Sequence, residues 1–196
     1  MFIAITHYRP LDSKDISHFI NIVPTIDYLL IRTPMSYKES ATFLENLIHS
    51  GFPKDKILIH SAIDLLEAFD LNAIHFGEND KDAFHYKQQH PEISVSMSTH
   101  SARSIEQAQS NGFDFVLFGH IFETISKKDR PPRSKQEVAE SLSFEIPVIA
   151  LGGINDRTIH ELPEGFSGIA AISYFMNANP LKIKTLRKEW EESNST

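Results

Sequence analysis

Cysteine is absent from the 196 residues of this chain. Its absence excludes disulfide bonds, cysteine nucleophiles and metal sites built on thiolates. It also fits a reducing compartment, and we therefore expect a cytoplasmic protein.

A long apolar run and an excess of basic charge are absent as well. No run reaches the roughly 18 apolar residues of a membrane span. The N-terminal sequence MFIAITHYRP has no basic stretch followed by an apolar run and a cleavage site of small residues, so we expect neither a membrane anchor nor a secretion signal. The 19 basic and 26 acidic residues leave a net charge of −7. That balance argues against nucleic acids and anionic membranes as partners, because both demand a basic face.

Short apolar and β-branched runs are what the sequence has in quantity. Most of them are hydrophobic almost without interruption, which is typical of parallel strands whose sheet is buried on both faces. Eight such runs follow one another, at residues 2–6, 28–32, 57–60, 73–76, 94–97, 115–119, 147–151 and 168–172.

Segments with helical spacing lie between the predicted strands. Several open on a Ser or Asp suited to cap a helix N-terminus, and Gly51 and Gly112 follow helices where a left-handed residue commonly ends them. Eight βα units favour a closed barrel over an open doubly wound sheet, which usually has about five or six strands. We predict a (β/α)8 TIM barrel that forms a single domain over residues 1–196. The predicted helices cover residues 36–49, 61–69, 80–89, 101–109 and 134–142.

The loops after the seventh and eighth predicted strands have the composition of an anion site. In TIM barrels the active site lies at the carboxyl ends of the strands, and these two loops often hold phosphate. Gly152 and Gly153 follow strand 7, and Ser173 follows strand 8. Glycines let backbone N–H groups approach an anion that a side chain would block. The glycines could instead make only a tight turn and the serine only cap a helix, but their position at both loops favours phosphate binding.

Histidines cluster at the predicted active face. The His-x-His pair of many metal-dependent barrels is missing, so we do not expect a catalytic transition metal. His120 directly follows the buried run 115–119, which carries it to the mouth of the barrel. Five of the ten histidines lie at or just after predicted strand ends: His7, His60, His75, His100 and His120.

A polar and basic segment at residues 121–133 follows His120 and is long enough to act as a lid over an anionic ligand. Lys127 lies within it, although any single lysine of such a loop can simply be solvated. Arg32 ends the second predicted strand, where a guanidinium is suited to grip a carboxylate or phosphate in a bidentate way.

The stretch Val-Leu-Phe-Gly-His-Ile-Phe-Glu-Thr at residues 116–124, with Lys127 three residues on, closely resembles the strand-6 motif of bacterial thiazole tautomerases. Further segments are similar in order and spacing to the thiamine phosphate synthase superfamily and extend along most of the chain. They are residues 4–6, 31–32, 98–101, 147–154 and 168–173.

Two departures separate the chain from the thiamine phosphate synthases that it also resembles. Those enzymes typically carry Gly-Pro where this chain has Gly119-His120. They usually have Gln-x-Arg-x-Lys at strand 2, where this chain keeps Arg32 but has Pro34 in place of the lysine and a leucine in place of the glutamine.

A third departure concerns magnesium. The Asn-Asp pair that synthases carry after strand 3 is replaced here by His60-Ser61, which leaves Asp80 as the only obvious carboxylate of that motif. Release of pyrophosphate calls for Mg²⁺ to neutralise the leaving charge, and Mg²⁺ prefers oxygen ligands. The loss of one of two carboxylates therefore weighs against synthase chemistry.

The resemblance accordingly implies a thiazole tautomerase that needs no metal or other cofactor. Its substrate would be a carboxylated dihydrothiazole with an ethyl phosphate arm, isomerised to the aromatic thiazole carboxylate phosphate. His120 would move the proton as general acid and base, because an imidazole pKa near about 6.5 suits neutral pH, with His100 and His60 as the next candidates. The implied substrate-binding residues are Arg32, Thr99, His100, Lys127, Gly152, Gly153, Ile172 and Ser173.

Two alternatives stay open. A thiamine phosphate synthase would couple hydroxymethylpyrimidine pyrophosphate to thiazole phosphate, with Mg²⁺ held in part by Asp80. A non-catalytic barrel would bind a thiamine-pathway phosphate and regulate by contact. The partner expected in each case is a small phosphorylated molecule, a phosphorylated thiazole for the tautomerase, and the sequence leaves homo-oligomerisation open.

Overall fold

The computed structural model describes residues 1–124, 127–128 and 130–194. Its centre is a closed barrel in which the eight strands pair in chain order and each pair is parallel. The predicted TIM-barrel fold is confirmed. The strands are β1 (Phe2–Ile5), β2 (Tyr28–Ile31), β3 (Ile57–His60), β4 (Ala73–Phe76), β5 (Ser94–Thr99), β6 (Phe115–Gly119), β7 (Val148–Leu151) and β8 (Gly168–Ala171).

Helices cover the outside of the barrel. Five of them match the predicted segments, whereas the first and the last two were not predicted. No helix within the described residues has the length and apolarity needed to span a membrane. The helices are α1 (Ser13–Ile22), α2 (Tyr37–His49), α3 (Ile63–Ala68), α4 (Asp82–Gln89), α5 (Ala102–Ser110), α6 (Lys135–Ser141), α7 (Ser173–Asn177) and α8 (Pro180–Ser193).

Local capping explains where several helices begin. Ser36, Ser101 and Ser134 each cap a helix in a reciprocal capping box, in which the side chain three residues on bonds back to the cap backbone. The prediction that a helix starts at Ser61 is wrong, because Ser61 adopts a positive φ of 50° and α3 begins two residues later. The predicted start at Asp80 is likewise two residues early, since α4 begins at Asp82.

Alternate side chains of each strand point into the barrel and form a core of their own, separate from the larger core between strands and helices. The inner core is apolar towards the amino ends of the strands, where Tyr28 stacks on Phe115 with ring centroids 6.0 Å apart. Its buried members are Ile3, Ile5, Leu30, Leu58, Ala73, Phe115, Leu117, Ile149 and Ala170.

Towards the carboxyl ends, the inward positions of β3, β4 and β5 become polar. His60 pairs in register with His75, and His75 with Ser96. Arg32 directly follows β2. Because Ile31 of β2 pairs with Ile59 of β3, Arg32 lies beside His60, the residue after Ile59. The register therefore gathers a guanidinium, two imidazoles and a hydroxyl on one side of the barrel mouth.

Candidate active site

A cavity of about 990 Å³ opens at the carboxyl ends of the strands. Closure of the barrel brings together at this cavity every residue that the sequence had suggested for catalysis or substrate binding. They are Arg32, Thr99, His100, His120, Lys127, Gly152, Gly153, Ile172 and Ser173.

The loop predicted as a lid borders the same cavity. Glu123, Thr124 and Lys127 line it, whereas Ile125, Ser126 and Asp129 of the predicted lid lie outside the described residues. Of the five histidines expected at the active face, four line the cavity, and His7 is not among its lining residues in the described chain.

Gly152 and Gly153 have two structural reasons to be glycine. Both adopt positive φ angles, of 100° and 71°, which side chains rarely tolerate. A Cβ on Gly152 would also overlap the Cβ of His120, and one on Gly153 would come within 2.7 Å of the Phe122 Cβ. The turn after β7 is thus packed tightly against the end of β6. The two glycines therefore serve a tight turn, and they also line the cavity.

His120 is held in one orientation by the loop that follows it. Its side chain is 3% exposed, and its Nε2 lies 3.0 Å from the carbonyl oxygen of Arg130. Because a carbonyl only accepts, Nε2 carries a proton, and in the neutral imidazole Nδ1 is then an acceptor. Nδ1 is buried and has no hydrogen-bond partner within the described chain. A buried acceptor without a partner is costly, so His120 presents an acceptor suited to a donor group on a ligand.

Lys127, His100 and Glu78 form a chain of hydrogen bonds across the cavity rim. Lys127 Nζ donates to His100 Nε2 over 3.2 Å, and His100 Nδ1 donates to Glu78 Oε2 over 2.7 Å. Burial, followed by Arg133 and Arg130, lowers the pKa of Lys127. Burial acts to raise the pKa of Glu78, but hydrogen bonds from Ser104 and His100 outweigh it and leave that pKa below its usual value.

Arg32 and Thr99 differ in how freely they face a ligand. The Arg32 guanidinium is exposed and lies 4.7 Å from the ring centroid of Tyr8, in cation–π contact. Thr99 lines the cavity, but it is 1% exposed and its hydroxyl donates to the Leu117 carbonyl over 3.2 Å. Arg32 can therefore reach an anion, whereas the Thr99 hydroxyl is committed to the barrel wall.

A buried His75 with two serine partners was not among the predicted site residues. Its Nδ1 lies 2.8 Å from Ser96 Oγ and its Nε2 lies 2.9 Å from Ser98 Oγ. Burial, helped by the neighbouring His60 and Arg32, lowers the His75 pKa to about 3. The imidazole is thus neutral at physiological pH. His75 and Ser98 both line the cavity. Side chains alternate between the two faces of a strand, and both residues occupy positions that point into the barrel. That alternation could have identified them in the sequence.

Lys182 is a further lining residue that the sequence did not suggest. It lies in the first turn of α8, a helix that the periodicity did not predict. Together with Asn177 of α7, it borders the part of the cavity wall next to Ser173. Recognising α8 and its Asn179 cap would have placed this cation near the expected phosphate loops.

The positions where the resemblance implies Mg²⁺ do not present a pair of carboxylates to the cavity. The described residues contain no group of three or more His, Asp or Glu side chains that could hold a metal. Asp80 is not among the lining residues, and its carboxylate accepts from the Asp82 backbone N–H over 3.2 Å, at the start of α4. Ser61, at the second position of the motif, is exposed, and Glu78 is engaged by His100.

The sequence and the fold of this chain are similar to those of known proteins. A family model described as thiamine monophosphate synthase matches residues 32–175. The thiamine-phosphate synthase of Methanobrevibacter smithii is 31% identical over 144 residues, which cover 71% of this chain and 69% of that protein. The thiamine-phosphate synthase of Streptococcus agalactiae is 30% identical over 139 residues, which cover 68% of this chain and 62%, less than two thirds, of that protein.

A solved structure, the thiamine phosphate pyrophosphorylase from Pyrococcus furiosus, superposes with a TM-score of 0.79 over 98% of this chain and 96% of that one, at 21% sequence identity. A second, the thiamine phosphate pyrophosphorylase from Bacteroides thetaiotaomicron, gives a TM-score of 0.63 at 21% identity, over 98% of this chain and 96% of that one. At these identities the likeness shows the fold alone.

These findings overturn the thiazole tautomerase prediction. The relatives are named thiamine-phosphate synthase, so the isomerase assignment is wrong and the synthase alternative is the better supported one. The prediction rests on the motif around His120 and on three departures from the synthase pattern, at Gly119-His120, at strand 2 and at His60-Ser61, whereas the family match extends over residues 32–175.

Proposed function

The chain belongs to the thiamine monophosphate synthase family, and on that premise we propose that it is a transferase. Its substrates are hydroxymethylpyrimidine pyrophosphate and thiazole phosphate, and its products are thiamine phosphate and pyrophosphate. Both substrates are small phosphorylated molecules, in keeping with a cavity lined by cations and glycine loops.

The coupling requires one bond to break and one to form. The C–O bond between the pyrimidine methylene and the pyrophosphate breaks, and its electron pair leaves with the pyrophosphate. The lone pair of the thiazole nitrogen forms the new C–N bond, which gives the thiazole ring a positive charge. No proton is transferred and nothing is oxidised, so the protein has to bind, orient and balance charge rather than supply a base.

The cavity wall is divided in a way that suits two heteroaromatic rings. Leu30, Leu117 and Leu151 line it and offer apolar contact to ring faces. His75 and Ser98 line it from β4 and β5 and offer polar atoms to ring substituents. A volume of about 990 Å³ lies at the upper end of the range of small-molecule sites, roughly 300–1,000 Å³, which is room for two small substrates together.

Gly152, Gly153, Ile172 and Ser173 are proposed to hold the phosphate of the thiazole. They lie at the ends of β7 and β8 and line the same cavity, as expected of the phosphate loops of a TIM barrel. Lys182 on the adjoining helix adds a cation to this side of the wall. Arg32 and Lys127 are then left for the pyrophosphate of the other substrate.

His120 is proposed to bind substrate rather than to transfer a proton. The coupling moves no proton, whereas the fixed tautomer of His120 leaves a buried acceptor, Nδ1, without a protein partner in the described chain. An N–H or O–H group of a bound ring would satisfy that acceptor. The observation that carries the proposed function as a whole is the convergence of the loops after β7 and β8, of cations and of this acceptor on one cavity in a chain of this family.

Incubation of the purified protein with both substrates tests the proposal, with Mg²⁺ in one series and EDTA in another. Thiamine phosphate and pyrophosphate are expected in equal amounts in at least one series. Omission of either substrate is the control. If neither series yields thiamine phosphate at saturating substrate, the proposed function is wrong.

A further inference from the structure

Two nitrogen-bearing side chains line the corner of the cavity where the resemblance implies magnesium. Arg32 and His60 lie next to each other across β2 and β3, and both line the cavity. His60 is half-buried, and burial together with the charge of Arg32 lowers its pKa, outweighing the opposite effect of the Asp80 carboxylate. Mg²⁺ is usually bound through one or two carboxylates and keeps several waters. Here the side chain next to His60 is the guanidinium of Arg32, which repels a divalent cation.

We infer that this chain binds the pyrophosphate group directly through Arg32, His60 and Lys127, without a carboxylate-held divalent cation. The inference rests on the proposed function, since pyrophosphate is the leaving group of that reaction. It assigns to protein side chains the charge compensation that a metal would otherwise supply.

Each of the three side chains is placed for this role. Arg32 is exposed at the cavity, and its planar guanidinium can grip two phosphate oxygens at once. Lys127 reaches the cavity from the loop after β6 and is steadied by its 3.2 Å contact with His100. The pyrophosphate would thus meet the guanidinium of Arg32 on the β2 side and the amine of Lys127 from the β6 loop.

The imidazole assigned to the ligand is His60 rather than His75. Both ring nitrogens of His75 are engaged by serine hydroxyls, and the two rings lie with centroids 5.8 Å apart. His60 also lines a second cavity of about 400 Å³ together with Arg32. These two side chains therefore form the wall between the main cavity and an adjoining one, where an anion can contact both.

Nearby basic groups are less suited to the ligand. Arg133 is tied to Glu137 at 2.9 Å and to the carbonyls of His100 and Gly119. Its charge is therefore compensated within the protein. With Lys182 proposed for the phosphate of the thiazole, Arg32 and Lys127 are the lining cations assigned to the pyrophosphate.

Calorimetric titration of the full chain with inorganic pyrophosphate, in EDTA and then in excess Mg²⁺, tests the inference. Pyrophosphate should bind in EDTA, and Mg²⁺ should not tighten binding by more than about threefold. Arg32→Gln should weaken binding in EDTA by about tenfold or more, as expected for a lost charge-assisted contact. His60→Leu should weaken it by a smaller factor, because one neutral donor is lost.

Arg103→Gln is the matched control, since Arg103 is exposed on the outer helix α5 and should bind as the parent does. Arg32→Lys, which keeps the charge, should recover part of the affinity and guards against a variant that fails to fold. Binding that occurs only with Mg²⁺, or that is indifferent to Arg32→Gln, would overturn the inference.

Coupling measured on the same samples separates this inference from the proposed function. Pyrophosphate binding in EDTA, without thiamine phosphate formation in either EDTA or Mg²⁺, would reject the proposed function and support the binding mode. Coupling and binding that both require Mg²⁺ would support the proposed function and reject the direct binding of pyrophosphate.

Discussion

His75 donates or accepts through both ring nitrogens, to Ser96 Oγ at 2.8 Å and to Ser98 Oγ at 2.9 Å, in a fully buried position. A charged imidazole is disfavoured there, which is why its pKa falls from 6.5 to about 3. The polar side of the cavity is thus built on a neutral histidine whose hydrogen bonds are all satisfied by neighbours on the next strand.

The pH dependence of stability should report this histidine. Its folded-state pKa is below its unfolded value, so between pH 6.5 and about 3 the unfolded chain binds a proton that the native chain does not. Stability from this group is complete above pH 6.5 and should fall by about 1.4 kcal/mol per pH unit below it. Denaturant unfolding at a series of pH values measures the slope.

In the variant His75→Gln, the free energy of unfolding should fall less steeply with decreasing pH than in the parent. The difference in slope should correspond to at most one proton taken up on unfolding. His85→Gln, an exposed histidine on α4, is the matched control and should keep the parent slope. Equal slopes for His75→Gln and the parent would mean that His75 is not held neutral.

Gly152→Ala should destabilise the fold and impair the site, because it combines a positive φ with an overlap on His120. Gly165 offers a matched control: its φ of 103° is close to the 100° of Gly152, but an added Cβ would meet only Leu142 at 3.5 Å. Gly165→Ala should therefore cost only the backbone strain, about 1–3 kcal/mol, and Gly152→Ala should cost more. Thermal unfolding of both variants compares them, and equal losses would refute the packing argument.

His120→Asn should raise KM and change kcat little, because the coupling moves no proton and His120 contributes an acceptor. Steady-state kinetics with each substrate varied in turn separates the two parameters. His49→Asn, an exposed histidine on α2, serves as control. A fall in kcat by roughly 10²–10⁴ at unchanged KM is the signature of general acid–base catalysis and would contradict the binding role.

Asp80→Asn should leave coupling within about twofold of the parent, a difference small in free-energy terms. The Asp80 carboxylate is turned to the start of α4, and asparagine can accept the same backbone hydrogen bond. The measurement is the coupling rate with and without Mg²⁺. A large loss that extra Mg²⁺ restores would place Asp80 at a metal and reject the role assigned here to Arg32.

The barrel was predictable because its signals are periodic and local. Buried parallel strands appear as apolar runs, and serine caps mark helix starts, as at Ser101 and Ser134. Helix α8 was missed because its buried positions, Ile183 and Leu186, are few among charged residues. Ser61 was misread as a cap because its positive φ is fixed by how the chain leaves β3, not by residue type.

The site was predictable in place but not in all of its contacts. Strand ends converge in any TIM barrel, so the position of Arg32 or Ser173 after a strand was enough to bring them to one cavity. That the Thr99 hydroxyl bonds to Leu117, or that Glu78 orients His100, depends on three-dimensional packing between different strands. Residue type and spacing carry no such information.

The most direct test follows the thiazole phosphate itself. Thiazole phosphate labelled on its phosphorus is mixed with excess hydroxymethylpyrimidine pyrophosphate and a stoichiometric amount of the protein, and the products are separated after a single turnover. We expect the label to appear in thiamine phosphate, with one labelled molecule formed per pyrophosphate released. Label that stays in thiazole phosphate, at saturating pyrimidine substrate and whether or not Mg²⁺ is present, would contradict the proposed function.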